Sequence, residues 1–486
     1  MAEPLSPADR SSLAAEQGPV NMSVAGLLVL RSSPGLSREA VVRRVAERIH
    51  LVPRLRQRVQ APALGLANPV WVDDPHFDPD WHVRHVLLDG VSGAGTDEQL
   101  GALVGREAAR RLDRSRPLWE ITVIDGLRDG RTAVLVKLHH ALVDGMAALA
   151  LGVLLLDPSP EPLQIPPPEN EWEPQPFALR RYLTRLATSP LTQAQRLMLE
   201  TAGRAMDPDP RRAAGDLRRA TELVTELARN RPQAPMTPLN HMVSANRSYA
   251  FARADLAAIK RTAHERDATV NDVILAAVAG MLRRYLEEAG ALPTATGGRL
   301  AALVPVSVRR PAEEGETGNR ISTVIVDLPV EEPDAGARVA AVSARMNALK
   351  ESAAVRAGAL MVGAAGAAPP LVSALLARAL SGVRAFNLVV SNLPGPQQPF
   401  YLNGARVLEC YPVVPLNPAN QGLSVGILSY DGGVFFGLLA DRDLQPPVEV
   451  AAAALREALD ELVASEPPRR AVPLLSRRRG PRGPGD

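Results

Sequence analysis

A proline-rich segment in the first half of the chain limits the possible folds more than any other feature. Residues 157–177 contain eight prolines, and a proline inside a helix or a central strand removes a backbone hydrogen bond. The segment is therefore predicted to be a surface connection. Because the 486-residue chain exceeds the length at which one hydrophobic core usually stops growing, we expect a domain on either side.

The residues on both sides of this connection combine strand and helix patterns. Before it, residues 131–140 have the apolar alternation of a strand and residues 37–50 have helical periodicity. After it, residues 268–290 predict a helix, and residues 422–441 predict a β-hairpin that turns at Asp431. This alternation is typical of an α/β protein.

We predict four regions along the chain. They are an N-terminal α/β domain at 1–156, a proline-rich linker with crossover helices at 157–240, a C-terminal α/β domain at 241–466, and a disordered basic tail at 467–486.

Charge and cysteine content exclude several classes of protein. Lys and Arg number 55 against 53 Asp and Glu, so no overall positive field would attract nucleic acid. Cys410 is the single cysteine, and the first residues lack the pattern of a secretion signal, so we expect a cytoplasmic protein. The uncharged run at 357–377 is rich in Ala and Gly and is interrupted by two prolines. It predicts a buried pair of helices rather than a membrane span.

Two adjacent histidines stand between a predicted strand and a predicted helix. His139 and His140 begin the segment HHALVDG, and such junctions often carry functional side chains. A neutral imidazole can accept a hydroxyl proton near pH 7, so His140 is a candidate general base. Asp144 could hold the loop or the imidazole tautomer, and Gly145 permits a close backbone approach. The spacing alone fits a pair of hydrogen-bonded core histidines equally well.

Other short motifs accompany HHALVDG along most of the chain. They are PLSPAD at 4–9 with Glu16 and Met22, RPLWE at 116–120, TVNDVILA at 269–276, VPVSVR at 304–309, GNRIS at 318–322 and FNLVVSNLPGP at 386–396. Together they resemble the bacterial wax ester synthase/diacylglycerol acyltransferase family, whose signature is HHxxxDG. This resemblance extends from residue 4 to about residue 445. The sequence departs from the family pattern at Ser23, where the family often has histidine.

The resemblance implies both a fold and a site. The fold would be α/β, with two chloramphenicol-acetyltransferase-like domains forming a pseudo-dimer of mixed sheets flanked by helices, and with an active-site tunnel between them. His140 would be the base, and His139, Asp144 and Gly145 would share its catalytic motif. The residues expected near the site or the substrate are Glu16, Pro117, Leu118, Trp119, Asn271, Asp272, Ser391 and Asn392. No metal or cofactor is expected, and acyl-CoA would be the co-substrate.

The resemblance also implies a reaction, the transfer of a long-chain acyl group from acyl-CoA to diacylglycerol, a long-chain alcohol, or both. His140 would deprotonate the acceptor hydroxyl without an acyl-enzyme, and Asn271, Ser391 or Asn392 would stabilise the oxyanion. Because the product is a neutral lipid, we expect peripheral attachment to the inner membrane face or to lipid inclusions.

A second motif points to a different class of enzyme. Residues 422–426 match GxSxG, the nucleophile motif of α/β-hydrolases, with Ser424 as the nucleophile. That motif joins a strand to a helix and requires a later histidine. Ser424 lies in a predicted strand, and the last histidine is His264, so the sequence context disfavours a hydrolase.

Residues 71–85 contain three histidines, His76, His82 and His85, among four aspartates, a composition compatible with a metal site. The spacing fits no closed zinc pattern, and the prolines predict an irregular, polar surface loop. We expect no metal there, and we expect Trp81 and Trp119 to be packing residues.

Two alternatives remain open. One is a condensation-like or polyketide-type acyltransferase that uses a carrier-bound thioester, and the other is a non-catalytic member of the fold that binds lipid or a carrier protein. The intact HHxxxDG motif counts against the second alternative, and the PLW, ND and SNLPGP motifs favour the lipid enzyme over the first.

Overall fold

The computed structural model describes residues 3–60, 69–90, 93–142, 152, 154–170, 172–175, 234–292, 300–307, 321–351, 386–416 and 421–465. Asp144, Gly145, the uncharged run at 357–377, most of the predicted crossover helices and the tail at 467–486 lie outside the described residues.

The described residues form strands and helices in alternation. In chain order, the strands are β1 (Glu3–Pro4), β2 (Ser23–Arg31), β3 (Gln57–Gln60), β4 (Val70–Asp73), β5 (Val83–Leu87), β6 (Asp89–Gly90), β7 (Gly93–Ala94), β8 (Trp119–Leu127), β9 (Arg131–His139), β10 (Arg247–Asp255), β11 (Leu300–Ser307), β12 (Ile321–Leu328), β13 (Leu388–Pro394), β14 (Tyr401–Leu402), β15 (Ala405–Val413), β16 (Leu423–Tyr430) and β17 (Gly433–Asp441). The α-helices are α1 (Pro7–Ala15), α2 (Arg38–Arg48), α3 (Pro79–His82), α4 (Asp97–Ala109), α5 (Leu256–Glu265), α6 (Val270–Glu288), α7 (Ala335–Glu351) and α8 (Val448–Ala464). Short 3₁₀ turns lie at Pro34–Leu36, Ile49–Leu51, Pro53–Arg56, Arg128–Gly130 and His140–Leu142. Within these ranges, no helix has both the length and the apolar character needed to cross a bilayer.

Most of the strands belong to two six-stranded mixed sheets. The first sheet has the order β14-β15-β2-β9-β8-β5, with β5 and β8 parallel and the other pairs antiparallel. The second has the order β10-β17-β16-β13-β11-β12, with β13 parallel to both of its neighbours. Each sheet has its own hydrophobic core. The predicted α/β fold with two mixed-sheet domains is confirmed.

Helix α6 lies at the centre of the second core, and it confirms the helix predicted at 268–290. Its first turn is closed by a capping box, in which the N–H of Asp272 donates to Thr269 Oγ1 (3.2 Å) and the N–H of Thr269 donates to the Asp272 carboxylate (3.0 Å). Residues 273–282 are all buried, so protein surrounds this middle part of the helix on every side, as its apolar composition requires.

The predicted hairpin at 422–441 is also confirmed. Strands β16 and β17 pair in register around a two-residue turn. Asp431 and Gly432 have φ angles of 43° and 81°, and two positive φ values in succession are what a tight type I′ turn requires.

The first sheet contains strands from both halves of the chain. Strand β15 pairs antiparallel with β2, with Tyr411 opposite Leu27 and Val413 opposite Ala25, and β14 pairs with β15. Residues 401–413 lie within the predicted C-terminal domain, yet they complete the N-terminal sheet. The domain boundaries at 156 and 241 stay a prediction.

The two domains meet again where α4 lies on β10, the edge strand of the second sheet. Two glycines on one face of α4 allow this close approach. A Cβ atom at Gly101 would collide with the carbonyl oxygen of Tyr249, and one at Gly105 would lie 2.7 Å from the carbonyl oxygen of Arg247. The backbone of α4 therefore packs directly against the backbone of β10, with no side chain between them at these two positions.

Candidate active site

The two histidines lie at the end of β9, an interior strand of the first sheet. His139 is the last residue of the strand, opposite Ser23 on β2, and His140 begins the following 3₁₀ turn. The N–H of His139 donates to the carbonyl of Leu118 (3.0 Å), and the N–H of His140 donates to the carbonyl of Met22 (2.8 Å). Neighbouring segments on both sides thus hold the backbone at the histidines.

The imidazole of His139 is buried, with 1% of the residue exposed. The backbone N–H of Ala141 donates to its Nδ1 atom (3.0 Å), so Nδ1 carries no proton and the neutral ring has its proton on Nε2. The Nε2 atom faces Oε1 of Glu16 at 3.6 Å. His139 is therefore enclosed, and both of its ring nitrogens point at protein groups.

The side chain of His140, in contrast, is exposed to solvent. Its Nδ1 atom lies 3.5 Å from Ser12 Oγ on α1. Although the ring is exposed, the surrounding protein desolvates it and lowers the pKa of His140 below the usual value of 6.5. A hydrogen bond to its own backbone and the charge of Asp9 oppose this shift, and His139 reinforces it. The ring is neutral at pH 7 and can accept a proton.

We expect the pH dependence of turnover to report this lowered pKa. If His140 is the base, activity falls as decreasing pH protonates the imidazole, and that decline should be centred below pH 6.5. A profile of kcat/KM against pH on the purified protein checks the prediction. An acidic limb centred above pH 6.5 would contradict it.

A buried carboxylate lies against the histidines. Glu16 is 5% exposed. Its Oε1 atom accepts from the N–H of Met22 (3.2 Å) and its Oε2 atom accepts from Arg114 Nη2 (2.8 Å). Burial by itself raises the pKa of Glu16, but the contacts with His139, Arg114 and Met22 outweigh burial and lower it to about 2. Glu16 is therefore an anion at neutral pH.

The ND and SNLPGP motifs meet at the start of α6. Asn392, on β13, donates from Nδ2 to Oδ1 of Asn271 in the first turn of α6 (2.9 Å). Ser391 precedes Asn392 on β13, and both residues are partly exposed. Asp272 is 2% exposed and caps α6. Its Thr269-x-x-Asp272 spacing, a capping-box pattern, is the signal that could have indicated this structural role.

The PLW motif supports the histidines through the backbone. Pro117, Leu118 and Trp119 are buried, and the carbonyl of Leu118 is the acceptor for the N–H of His139. The Trp119 indole donates to the carbonyl of Leu55 (2.8 Å) and stacks on His82 at a centroid distance of 4.2 Å. The prediction that Trp119 is a packing residue is confirmed.

The hydrogen bonds of the described residues place the predicted site residues in two groups. The first surrounds the histidines and contains Glu16 and the PLW backbone, and the second joins Asn271 to Asn392. Sequence analysis missed Ser12 and Arg114, which contact His140 and Glu16 respectively. No sequence motif identifies either residue, because each acquires its position only through contacts distant in the chain.

A cleft of about 860 Å³ opens between the domains, but away from the histidines. Its lining includes residues of β10, β15 and α8, the start of α4, and Arg131. Arg131 and His139 are the first and last residues of β9, and at ~3.3 Å per residue they lie ~26 Å apart. The tunnel that the family resemblance implies stays a prediction.

The structure places Ser424 inside β16, away from any strand-to-helix turn. The residue is 1% exposed, and its Oγ atom donates to the carbonyl of Val414 (2.6 Å). A nucleophile must be accessible and must stand at an elbow. Ser424 has neither property, and the interpretation as a hydrolase fails here as expected.

The histidine-rich segment at 71–85 is less irregular than predicted. His82 is fully buried, with its Nδ1 atom 2.8 Å from the carbonyl of Trp119, and burial lowers the pKa of His82 to about 4. The prediction of a polar surface loop was wrong for this residue, because the carbonyl and the stacked indole provide a buried environment for the ring. His85 contacts Asp125 instead (2.9 Å). Among the described residues, no cluster of three or more His, Cys, Asp or Glu side chains could hold a metal ion.

Comparison with known proteins identifies the family. Residues 5–274 match the wax ester synthase/diacylglycerol acyltransferase catalytic domain, and residues 317–463 match the C-terminal domain of the same family. A Mycobacterium tuberculosis protein named as a probable diacylglycerol O-acyltransferase is 32% identical over 475 residues, which cover 97% of each chain.

Solved structures agree in fold. A wax ester synthase/diacylglycerol acyltransferase from Marinobacter aquaeolei VT8 is 27% identical, with a TM-score of 0.66 over 94% of this chain and 98% of that one. The starter condensation domain of rhizomide synthetase, at 17% identity and a TM-score of 0.54 over 95% and 94% of the two chains, shares the fold. Both family models match in chain order, and the paired histidines end an interior strand. This chain is therefore an acyltransferase that belongs to the wax ester synthase/diacylglycerol acyltransferase family.

Proposed function

We propose that this enzyme transfers a long-chain fatty acyl group from acyl-CoA to diacylglycerol, with long-chain alcohols as second acceptors and His140 as the general base. The observation that supports the assignment of the base is the contrast between the two histidines. His139 has both ring nitrogens directed at protein groups. His140, in contrast, is exposed, its backbone N–H is held by the carbonyl of Met22, and its pKa is lowered. The acceptor preference rests on the activities for which these relatives are named.

In the proposed reaction, Nε2 of His140 accepts the hydroxyl proton while the hydroxyl oxygen bonds to the thioester carbonyl carbon. Ser12 Oγ, 3.5 Å from Nδ1, is placed to accept the proton of Nδ1 and so leave Nε2 free as the base. The oxyanion then collapses, the carbon–sulfur bond breaks, and coenzyme A leaves as a thiolate that takes the proton from the imidazolium. No acyl-enzyme forms, and no cofactor is needed, because acyl-CoA is itself the acyl-donating co-substrate.

The oxyanion requires a hydrogen-bond donor, and Asn271 is our first candidate. Its Oδ1 atom accepts from Asn392, which fixes the plane of the amide and leaves its Nδ2 atom free to donate elsewhere. Donors held in place in this way stabilise a developing negative charge without reorganising. Ser391 and Asn392 are the alternative donors, and Asp144 and Gly145 would support the loop after His140.

The test is an assay with purified protein, labelled palmitoyl-CoA and an equimolar mixture of diacylglycerol and hexadecanol, followed by separation of the lipid products. We expect labelled triacylglycerol as the main product and wax ester as the minor one. Release of free palmitate alone, or no transfer from palmitoyl-CoA to either acceptor, would overturn the proposal.

We further propose that the enzyme works in the cytoplasm at the surface of a membrane or lipid inclusion, because acceptor and product both partition into lipid. Flotation with liposomes that contain diacylglycerol tests this. Protein that stays at the bottom of the gradient would contradict it.

A further inference from the structure

The carboxylate of Glu16 is buried next to His139, the residue that precedes the turn His140–Leu142. We refer to His140–Leu142 as the catalytic turn. Its side chain is 1% exposed, whereas that of its partner Arg114 is 47% exposed. A buried anion is costly unless it is paired and hydrogen-bonded. Arg114 supplies this pairing from the surface, at 2.8 Å from Oε2, and also donates to the carbonyl of Leu13 (3.1 Å).

Glu16 contacts the catalytic turn through His139. The Nε2 atom of His139 is buried, and among the described residues it has no hydrogen-bond partner within normal length. The nearest carboxylate oxygen is Glu16 Oε1 at 3.6 Å. A proton on Nε2 faces that anion favourably, and it leaves Nδ1 free to accept from the N–H of Ala141. Ala141 lies inside the turn that begins with His140.

A second connection runs through the backbone. Glu16 Oε1 accepts from the N–H of Met22 (3.2 Å), and the carbonyl of Met22 accepts from the N–H of His140 (2.8 Å). The carboxylate therefore reaches His140 both through the ring of His139 and through Met22.

We propose that Arg114 and Glu16 are positioning residues, which hold His139 as the neutral Nε2–H tautomer and so fix the turn that presents His140. This inference rests on the proposed function of His140 as the base. Without Arg114, the charge of Glu16 would be balanced by His139 itself, whose ring would gain a proton at Nδ1. A protonated Nδ1 cannot accept from Ala141, so the turn would lose its hydrogen bond.

The experiment compares Arg114→Met, Arg114→Lys, Glu16→Gln and the double variant Glu16→Gln/Arg114→Met in the full chain. Arg111→Met is the matched control. Arg111 binds the same segment through the carbonyls of Gly18 and Val20 and not through the carboxylate. General loosening of this segment would therefore affect Arg111→Met and Arg114→Met alike.

Two readouts are needed. The first is steady-state kinetics, in which Arg114→Met should lower kcat by about 10–100-fold, by analogy with the loss of groups that orient metal-bound histidines, with little change in KM for acyl-CoA. Arg114→Lys should retain most of kcat, and the double variant should recover part of the loss, because it removes the unpaired charge.

The second readout is the ring ¹⁵N spectrum of His139, assigned with a His139→Asn variant. It should show the Nε2–H tautomer in the wild type and the double variant, and an imidazolium in Arg114→Met.

Two results would overturn the inference. They are an equal loss of kcat in Arg111→Met and Arg114→Met, and an unchanged His139 spectrum in Arg114→Met. If Arg114→Met does not fold, Arg114→Gln, which also removes the charge but keeps a polar side chain at this half-exposed position, carries the same comparison. If the wild type transfers no acyl group, the proposed function fails, but the ¹⁵N spectra still decide whether Arg114 and Glu16 set the tautomer.

Discussion

Replacing His140 by alanine should lower kcat for acyl transfer by about 10²–10⁴-fold, the usual contribution of a positioned general base. The side chain is exposed, so its removal strands no buried polar group. The hydrogen bond from the His140 N–H to Met22 belongs to the backbone and remains. The loss should therefore be chemical and not structural.

The measurement is kcat with palmitoyl-CoA and diacylglycerol, together with the circular dichroism melting curve of each variant. His264→Ala is the control, because His264 is likewise exposed but stands in the last turn of α5. We expect both variants to melt like the wild type and only His140→Ala to lose activity. Wild-type turnover in a folded His140→Ala protein would exclude His140 as the base.

Replacing Asp157 by alanine should destabilise the protein by about 3–5 kcal/mol, the cost typical of removing one partner of a buried ion pair. Asp157 is fully buried, and its carboxylate accepts from Arg44 and from Arg48. Both arginines are buried as well. The carboxylate also accepts from the N–H of Leu163 (3.2 Å). Alanine would remove the carboxylate that both buried guanidinium groups contact.

The same residue also joins the linker to the second half of the chain. The backbone groups of Asp157 and Tyr401 exchange hydrogen bonds of 2.8 and 2.9 Å, so loosening Asp157 should also loosen β14. The midpoint of urea denaturation reports the change. Glu3→Ala is the control, since the pair of Glu3 with Arg54 is largely exposed and such pairs contribute about 0–1 kcal/mol. Equal midpoints for the two variants would refute the prediction.

Local patterns predicted those features of the fold that depend on neighbours in the chain. The helix at 268–290 and the hairpin at 422–441 both formed, because a capping box, an apolar run and a tight turn act over a few residues. The end of the strand at the paired histidines was predictable for the same reason.

Pairings between distant segments could not be predicted in this way. Strand β15 alternates buried and partly exposed residues, which indicates a strand but not its partner. The partner β2 lies in the other half of the chain. Likewise, neither Glu16 nor Arg114 carries a local signal that the two side chains meet. The family resemblance placed Glu16 near the site, but only the fold shows the arginine that holds it.

Residues 401–413 come from the second half of the chain but complete the first sheet, and this has a consequence for fragments and chimaeras of this enzyme. A fragment that stops in the proline-rich connection would lack β15, so the edge of β2 that pairs with β15 would be left without hydrogen-bond partners. An unpaired strand edge of this kind promotes aggregation. Chimaeras between relatives should therefore take residues 401–413 from the same parent as β2, and two fragments expressed apart should regain solubility only when they are produced together.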